Sequence, residues 1–169
     1  MSKVASGLFD GTSGFDPHIH RTDIQAFMYI SVREWAIQQF NELTGKARKN
    51  FNTACVAFDQ ATHKFYYGRN AGYREDGYVR NPFLFGDSTH TGILPKHSLN
   101  KYPVGNCAEV DAINRALNDG AKLENLHITT IHTTKKQFGK YKAACENCTY
   151  AFRGKISENY SGWGNGGKQ

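Results

Sequence analysis

The stretch GNCAEVDAINRALNDG, residues 105–120, decides how this chain is read. Its helix is simple to derive. Asn106 is a good N-cap, Val110, Ile113 and Leu117 fall at i, i+3 and i+7, and Gly120 stands where a helix C-terminus is expected. Asn106 and Glu109 also have the spacing of a capping box, in which the carboxylate reaches back to a free backbone N–H. On that reading Glu109 is structural and Cys107 is a small buried hydrophobe. What it leaves open is why a thiol and a carboxylate begin the helix together.

The pattern around this helix is that of an α/β domain. LHITTIHTT, residues 126–134, is rich in apolar and β-branched residues and predicts a central strand. Upstream, NTACVAFDQATHKFYYGRN predicts a β-hairpin with strands at about 53–58 and 64–69. Before it, Asp23 as N-cap and Gly45 as the residue past the end bracket a long helix. Ile24, Met28, Val32, Trp35, Phe40 and Leu43 lie close to one face of it. Residues 71–105 are broken by Gly and Pro throughout, and a connection that long is usually functional or wraps the domain. KISENYSGW, in the tail, has the pattern of one more strand. The expected fold is a three-layer α/β/α domain with a mixed sheet of four or five strands.

Composition narrows the class. With 169 residues, 39% of them hydrophobic, the chain suits one compact core. Residues 1–21, rich in Gly, Ser, Asp and His, are expected to be a poorly ordered lead to a domain spanning 22–169. Within that lead His18 and His20 read as terminal histidines rather than metal ligands. The sequence has no apolar run of membrane-spanning length and no signal-peptide core. Four cysteines are too few for a disulfide scaffold, and two of them form a C-x-x-C, which favours metal or redox chemistry in a reducing compartment. The net charge of +6 suits a polyanionic partner.

That C-x-x-C, Cys145 and Cys148, gives Cys107 its meaning. Two thiols facing one side of a helix's first turn make half of a tetrahedral zinc site. If the helices after Cys107 and after Cys145 lie side by side on one sheet face, their N-termini converge and Cys107 becomes a third ligand. Three protein ligands leave a fourth position for water, as a hydrolytic zinc site requires. Partial positive charge at both helix ends would favour the thiolates. Glu109 would then stand beside the open position, able to take a proton from that water and deliver it to a substrate. Cys55 reads as a core residue of the first hairpin strand; in a closed, purely structural site it would be the fourth ligand.

Cys107-Ala108-Glu109 followed, across a strand, by Cys145-Glu146-Asn147-Cys148 resembles the zinc signature of the cytidine deaminase-like superfamily. The element order of helix, two strands, CAE helix, strand and C-x-x-C helix is also similar, over about residues 23–152. The resemblance implies Zn²⁺ held by Cys107, Cys145 and Cys148, with Glu109 as the catalytic proton shuttle. It also implies that Asn70, in YYGRNAG, holds a substrate ribose, although GRN is ordinary turn chemistry as well. Two positions depart from the free-nucleoside enzymes, which read CAER and PCxxC where this chain has Val110 and Ala144. The GNCAEVDAINRAL form, the long irregular insertion and the basic charge are more similar to the deaminase domains of bacterial polymorphic toxins, with the YwqJ-like group as one candidate. That likeness implies a nucleic-acid base as target and a cognate immunity protein as partner. It further implies a secreted effector domain, delivered to the cytoplasm of a target cell, with no signal peptide in this chain.

KKQFGKYK, residues 135–142, places Lys135, Lys136, Lys140 and Lys142 among Phe138 and Tyr141 just before the second half-site. Such lysines could neutralise phosphates while an aromatic stacks on a flanking base; a solvated surface loop is the plain alternative. The function expected is hydrolytic deamination, with cytosine preferred over adenine on resemblance alone. The alternatives are a free cytidine or nucleoside deaminase and a non-enzymatic zinc module that binds nucleic acid. Trp163, between glycines, could stack on a base or fold against the core.

Overall fold

A strand that is hydrogen-bonded on both edges and covered on both faces has nowhere to place a solvated residue, and β1, Thr53–Asp59, is buried along its full length. The computed structural model describes residues 21–164, so His18 and His20 lie outside the described residues. β1 runs antiparallel to β2, Lys64–Arg69, on one side and to β3, Leu126–His132, on the other. β4, Glu158–Asn159, lies parallel to β3, giving a mixed four-stranded sheet in the order β2-β1-β3-β4. The chain is therefore a mixed α/β fold.

Alternation along β1 sorts the core into two. Ala54, Val56 and Phe58 pack with Ile24, Met28, Val32 and Ala36 of helix α1, Arg21–Glu42. Cys55 and Ala57 pack on the other face with Ala108, Ala112 and Ala116 of helix α4, Ala108–Asn118. Between these helices lie α2, Gly45–Lys49, and α3, Pro82–Phe85, the latter capped by Asn81, whose side chain accepts from the Phe83 N–H. Helix α5, Glu146–Phe152, contributes Cys148, Ala151 and Phe152 to the same core as α4. Among the described residues no helix is long and apolar enough to cross a membrane.

The contact between α4 and the sheet is unusually close because both sides are small. Ala108, Ala112 and Ala116 recur every four residues, and Gly68 of β2 faces them. A Cβ at Gly68 would sit 2.7 Å from the Ala108 carbonyl oxygen and 2.8 Å from the Asp111 carbonyl carbon, so backbone would have to move. Gly68→Ala is expected to destabilise the fold by about 3 kcal/mol, the upper range for overpacking. It would also shift the first turn of α4, which carries Glu109. Chemical denaturation checks this, and a loss under about 0.5 kcal/mol, the size of an ordinary surface change, would show the contact to be soft.

Several boundaries differ from the sequence pattern. α1 stops at Glu42, three residues before Gly45, and Gly45–Lys49 forms its own short helix. β3 ends at His132, two residues before the expected Thr134, although Thr133 still bonds back toward β1, its N–H donating to the Asn52 carbonyl (2.9 Å) and its hydroxyl to that of Phe51 (3.1 Å). The irregular region 71–105 contains a 3-10 turn at Gly72–Arg74 as well as α3. The end of α4 follows the expected pattern: the Gly120 N–H donates to Leu117 and the Ala121 N–H to Ala116, a Schellman closure.

Candidate active site

The first turn of α4 corrects the capping-box expectation. Cys107, not Asn106, is the N-cap, and no side chain caps the helix. The Asn106 N–H donates to the Pro103 carbonyl at 3.2 Å, so it is not free for Glu109. Glu109 instead turns inward: it is 2% exposed, and its Oε2 has no hydrogen-bond partner. A buried, unsatisfied carboxylate oxygen costs stability, so its place needs a reason other than the helix.

Three thiols converge beside it. Cys107 and Cys145 are the N-cap residues of α4 and α5, and Cys148 lies in the first turn of α5. The sulfurs of Cys107, Cys145 and Cys148 all lie within 4.8 Å of one another, and the Cys107–Cys145 pair is 2.6 Å apart. Such a cluster can hold a metal ion. Among the described residues no fourth Cys, His, Asp or Glu joins it; the Cys55 thiol donates instead to the Val56 carbonyl at 3.6 Å. Cys145 takes the negative charge most readily. The Cys107 and Cys148 thiols donate to it, as do the backbone N–H groups of Cys148 and Asn147, and its pKa falls well below the usual thiol range. Cys107, donating to that thiolate, and Cys148, donating to Cys107 and to Cys145, are held above it.

Burial pushes the Glu109 carboxyl up to about 7, with the Lys142 ammonium opposing the rise and the Cys145 thiolate adding to it. A carboxyl poised near neutrality suits proton transfer in either direction. The hydroxyl of Thr130, which pairs across the ladder with Cys55, lies beside it and also has no well-formed partner.

Cys107, Cys145 and Glu109 line a cavity of about 250 Å³, whose wall also includes Asn70, Tyr102, His132 and Lys142, with Cys148 buried behind the other two thiols. A larger cleft of about 380 Å³, around Glu75, Arg115 and Asn118, contains none of the thiols. Asn70 lines the cavity but its amide is largely committed. Its Oδ1 accepts from the N–H groups of Asn52 (3.0 Å) and Thr53 (3.1 Å), and its Nδ2 donates to the Asn50 carbonyl (2.7 Å). One amide hydrogen is left for a ligand.

The 135–142 loop divides. Lys142 reaches the cavity, while Lys135, Lys136 and Lys140 are exposed and do not line it. Phe138 and Tyr141 face α1: Arg33 lies 5.8 Å from the Phe138 ring, and Tyr141 meets Tyr29 edge-on at 5.3 Å. Trp163 packs against the α4 core, beside the bridge it forms with Ala144.

His132 and Tyr102 are cavity residues that the sequence reading passed over. His132 had a signal, since it shares the parity of Leu126, Ile128 and Thr130 along β3 and so points to the α4 face. Its desolvation and the charges of Lys142 and Lys140 hold the imidazole below its usual pKa, so it is neutral near pH 7. Tyr102 had none, because it belongs to an irregular loop.

No family model, no curated protein and no solved structure matches this chain.

Proposed function

We propose that the chain is a zinc-dependent hydrolytic deaminase with the three-layer α/β/α arrangement of the cytidine deaminase-like superfamily, converting cytosine to uracil in nucleic acid. The single observation that carries this reading is the buried Glu109 carboxylate, with an unpartnered oxygen, beside three converging thiols at one end of a cavity. The donor set fits zinc. Sulfurs tetrahedrally bound at about 2.3 Å stand about 3.8 Å apart, within the observed 4.8 Å limit and wider than the Cys107–Cys145 pair. Cys107, Cys145 and Cys148 would hold the ion, which when bound supplies a Lewis acid that makes water a nucleophile at neutral pH.

The chain's own residues do the rest. Water oxygen bonds to C4 of the base, the C4–N bond breaks, and ammonia leaves as the C4 carbonyl forms. Glu109 takes the proton that water gives up, places it on the ring N3, and carries the next one to the departing amine. Neutral His132 and the remaining amide hydrogen of Asn70 can hydrogen-bond the substrate from the wall. Val110 is fully packed in the core, so it supplies none of the positive charge that arginine gives the free-nucleoside enzymes. Lys142 is the cation at this cavity, and its charge acts on Glu109.

As the toxic effector domain of a bacterial secreted toxin, such an enzyme would act in the cytoplasm of a target cell and be neutralised by a cognate immunity protein. Zinc-loaded protein incubated with oligonucleotides, single- and double-stranded, DNA and RNA, should release ammonia and convert cytosine to uracil. Absence of conversion in all four by protein carrying one zinc per chain would reject the reading. A free-nucleoside enzyme is favoured by the cavity's size alone, which is at the small end of ligand sites. Salt separates the two. Each phosphate neutralised on a single strand contributes about 0.7 to the slope of log affinity against log salt. Replacing Lys135, Lys136 and Lys140, which lie outside the cavity, together by Gln should reduce that slope by up to about 2 and raise KM for an oligonucleotide. Efficient turnover of free cytidine, indifferent to salt and to these three replacements, would favour the nucleoside enzyme.

A further inference from the structure

Asn147 sits between two of the clustered cysteines, is 1% exposed, and spends its side chain on a distant loop. Its Oδ1 accepts from the Leu99 N–H at 2.8 Å and its Nδ2 donates to the Ser98 hydroxyl at 3.1 Å. Its neighbour Glu146 accepts from Asn100 Nδ2 at 2.7 Å, and Asn100 Oδ1 accepts in turn from the Tyr102 N–H at 2.9 Å. The two residues inside the C-x-x-C thus hold a loop that ends at the cavity. The side chain the loop presents there is Tyr102, 49% exposed, with the Lys101 ammonium 5.3 Å from its ring centroid.

On a loop tied by these hydrogen bonds, Tyr102 leaves half of its surface in water at the cavity, where its ring is open to a ligand. Glu109, at 2% exposure, marks where a target base must reach, whereas Tyr102 stands at the rim. Phe138 and Tyr141, the aromatics nearest in sequence to the second half-site, lie against α1 and do not line the cavity, although Tyr141 is 44% exposed. Beyond Tyr102 the same loop borders a groove of about 800 Å³, lined by Leu99, Tyr150, Lys96 and Lys155, with no carboxylate among its described lining residues. A ring beside an ammonium, followed by a cationic groove, matches the repeating base and phosphate of a single strand.

We propose that Tyr102 and Lys101 form the subsite for the nucleotide adjoining the target base in a single-stranded polynucleotide, with Asn147 and Asn100 as positioning residues. This rests on the deaminase reading above. Tyr102 stacks on the neighbouring base and Lys101 meets its phosphate, so preference for sequence context resides in this loop.

The test uses the zinc-loaded full chain and single-stranded oligonucleotides, DNA and RNA in separate arms, with 2-aminopurine placed next to a single cytosine. Tyr102→Ala should weaken binding and raise oligonucleotide KM by about tenfold or more, the effect of losing one stacked base. It should also abolish the quenching of 2-aminopurine that stacking causes. Tyr102→Phe should restore both, and in Tyr102→Ala turnover of free cytidine should fall several-fold less than turnover of the oligonucleotide. Asn100→Ala, which removes a bond to Glu146 but touches none of the thiols, should give part of the Tyr102→Ala effect with metal content unchanged. The inference is overturned if Tyr102→Ala keeps wild-type KM and quenching, or if it impairs free cytidine equally, which would place the ring on the target base. A wild-type protein that deaminates neither polymer fails differently, since it removes the deaminase reading itself.

Discussion

Glu109→Gln is expected to retain metal and fold while losing about 10²–10⁴-fold in turnover, or about 3–5 kcal/mol of transition-state stabilisation. The amide is nearly isosteric with the carboxyl and can still occupy the buried place, but it cannot accept the proton that the reaction has to move. Glu109 is not tied into a cap or an ion pair whose loss would unfold the helix: the N-cap is Cys107, and Oε2 has no partner. Removing a charge that burial disfavours should leave stability unchanged or slightly raised. Zinc content, thermal melting and turnover measured on the same sample separate the outcomes. A Gln variant with near wild-type turnover would remove Glu109 from the mechanism.

The second large effect falls on the thiols. Cys107→Ala, Cys145→Ala and Cys148→Ala should each lose the metal, because each leaves only two of three ligands. Zinc held at a thousand times its Kd adds about 4 kcal/mol to stability. At about 2–4 °C per kcal/mol for a chain of this size, its loss lowers Tm by about 8–16 °C. Stripping the wild-type protein with a chelator should lower its Tm by a similar amount, and the stripped variants should show no further drop on chelation. Cys55→Ala should keep its metal, since that thiol is outside the cluster and bonded to the Val56 carbonyl. Loss of metal from Cys55→Ala would indicate a four-thiol site with no position for water.

What the sequence made legible is what depends on near neighbours. Val110, Ile113 and Leu117, with the closure at Gly120, specify α4 within a few residues, and the two-residue alternation of TACVAF specifies a strand with two buried faces. The three thiols could be grouped because two of them share a helical turn and all three begin helices. The β3–β4 pairing joins residues some thirty apart and is only two residues long, which periodicity alone does not register. The orientation of Phe138 and Tyr141 is set by Tyr29 and Arg33 of α1, more than a hundred residues away, which a local pattern does not register. Tyr102 comes to the rim through Asn100, Glu146 and Asn147, a chain of hydrogen bonds with no local pattern. Glu109 shows the opposite case. Its spacing from Asn106 fits a capping box, but the Asn106 N–H is already donated to Pro103, and the carboxylate is left for the cavity.

The most direct test of the account is to sequence the DNA and RNA of cells that express the wild-type chain beside cells that express Glu109→Gln. The account predicts C-to-T changes, in one polymer or both, with the wild-type protein and only background with the variant. An unchanged mutation spectrum from cells making zinc-loaded wild-type protein, or equal spectra from the two proteins, would contradict it.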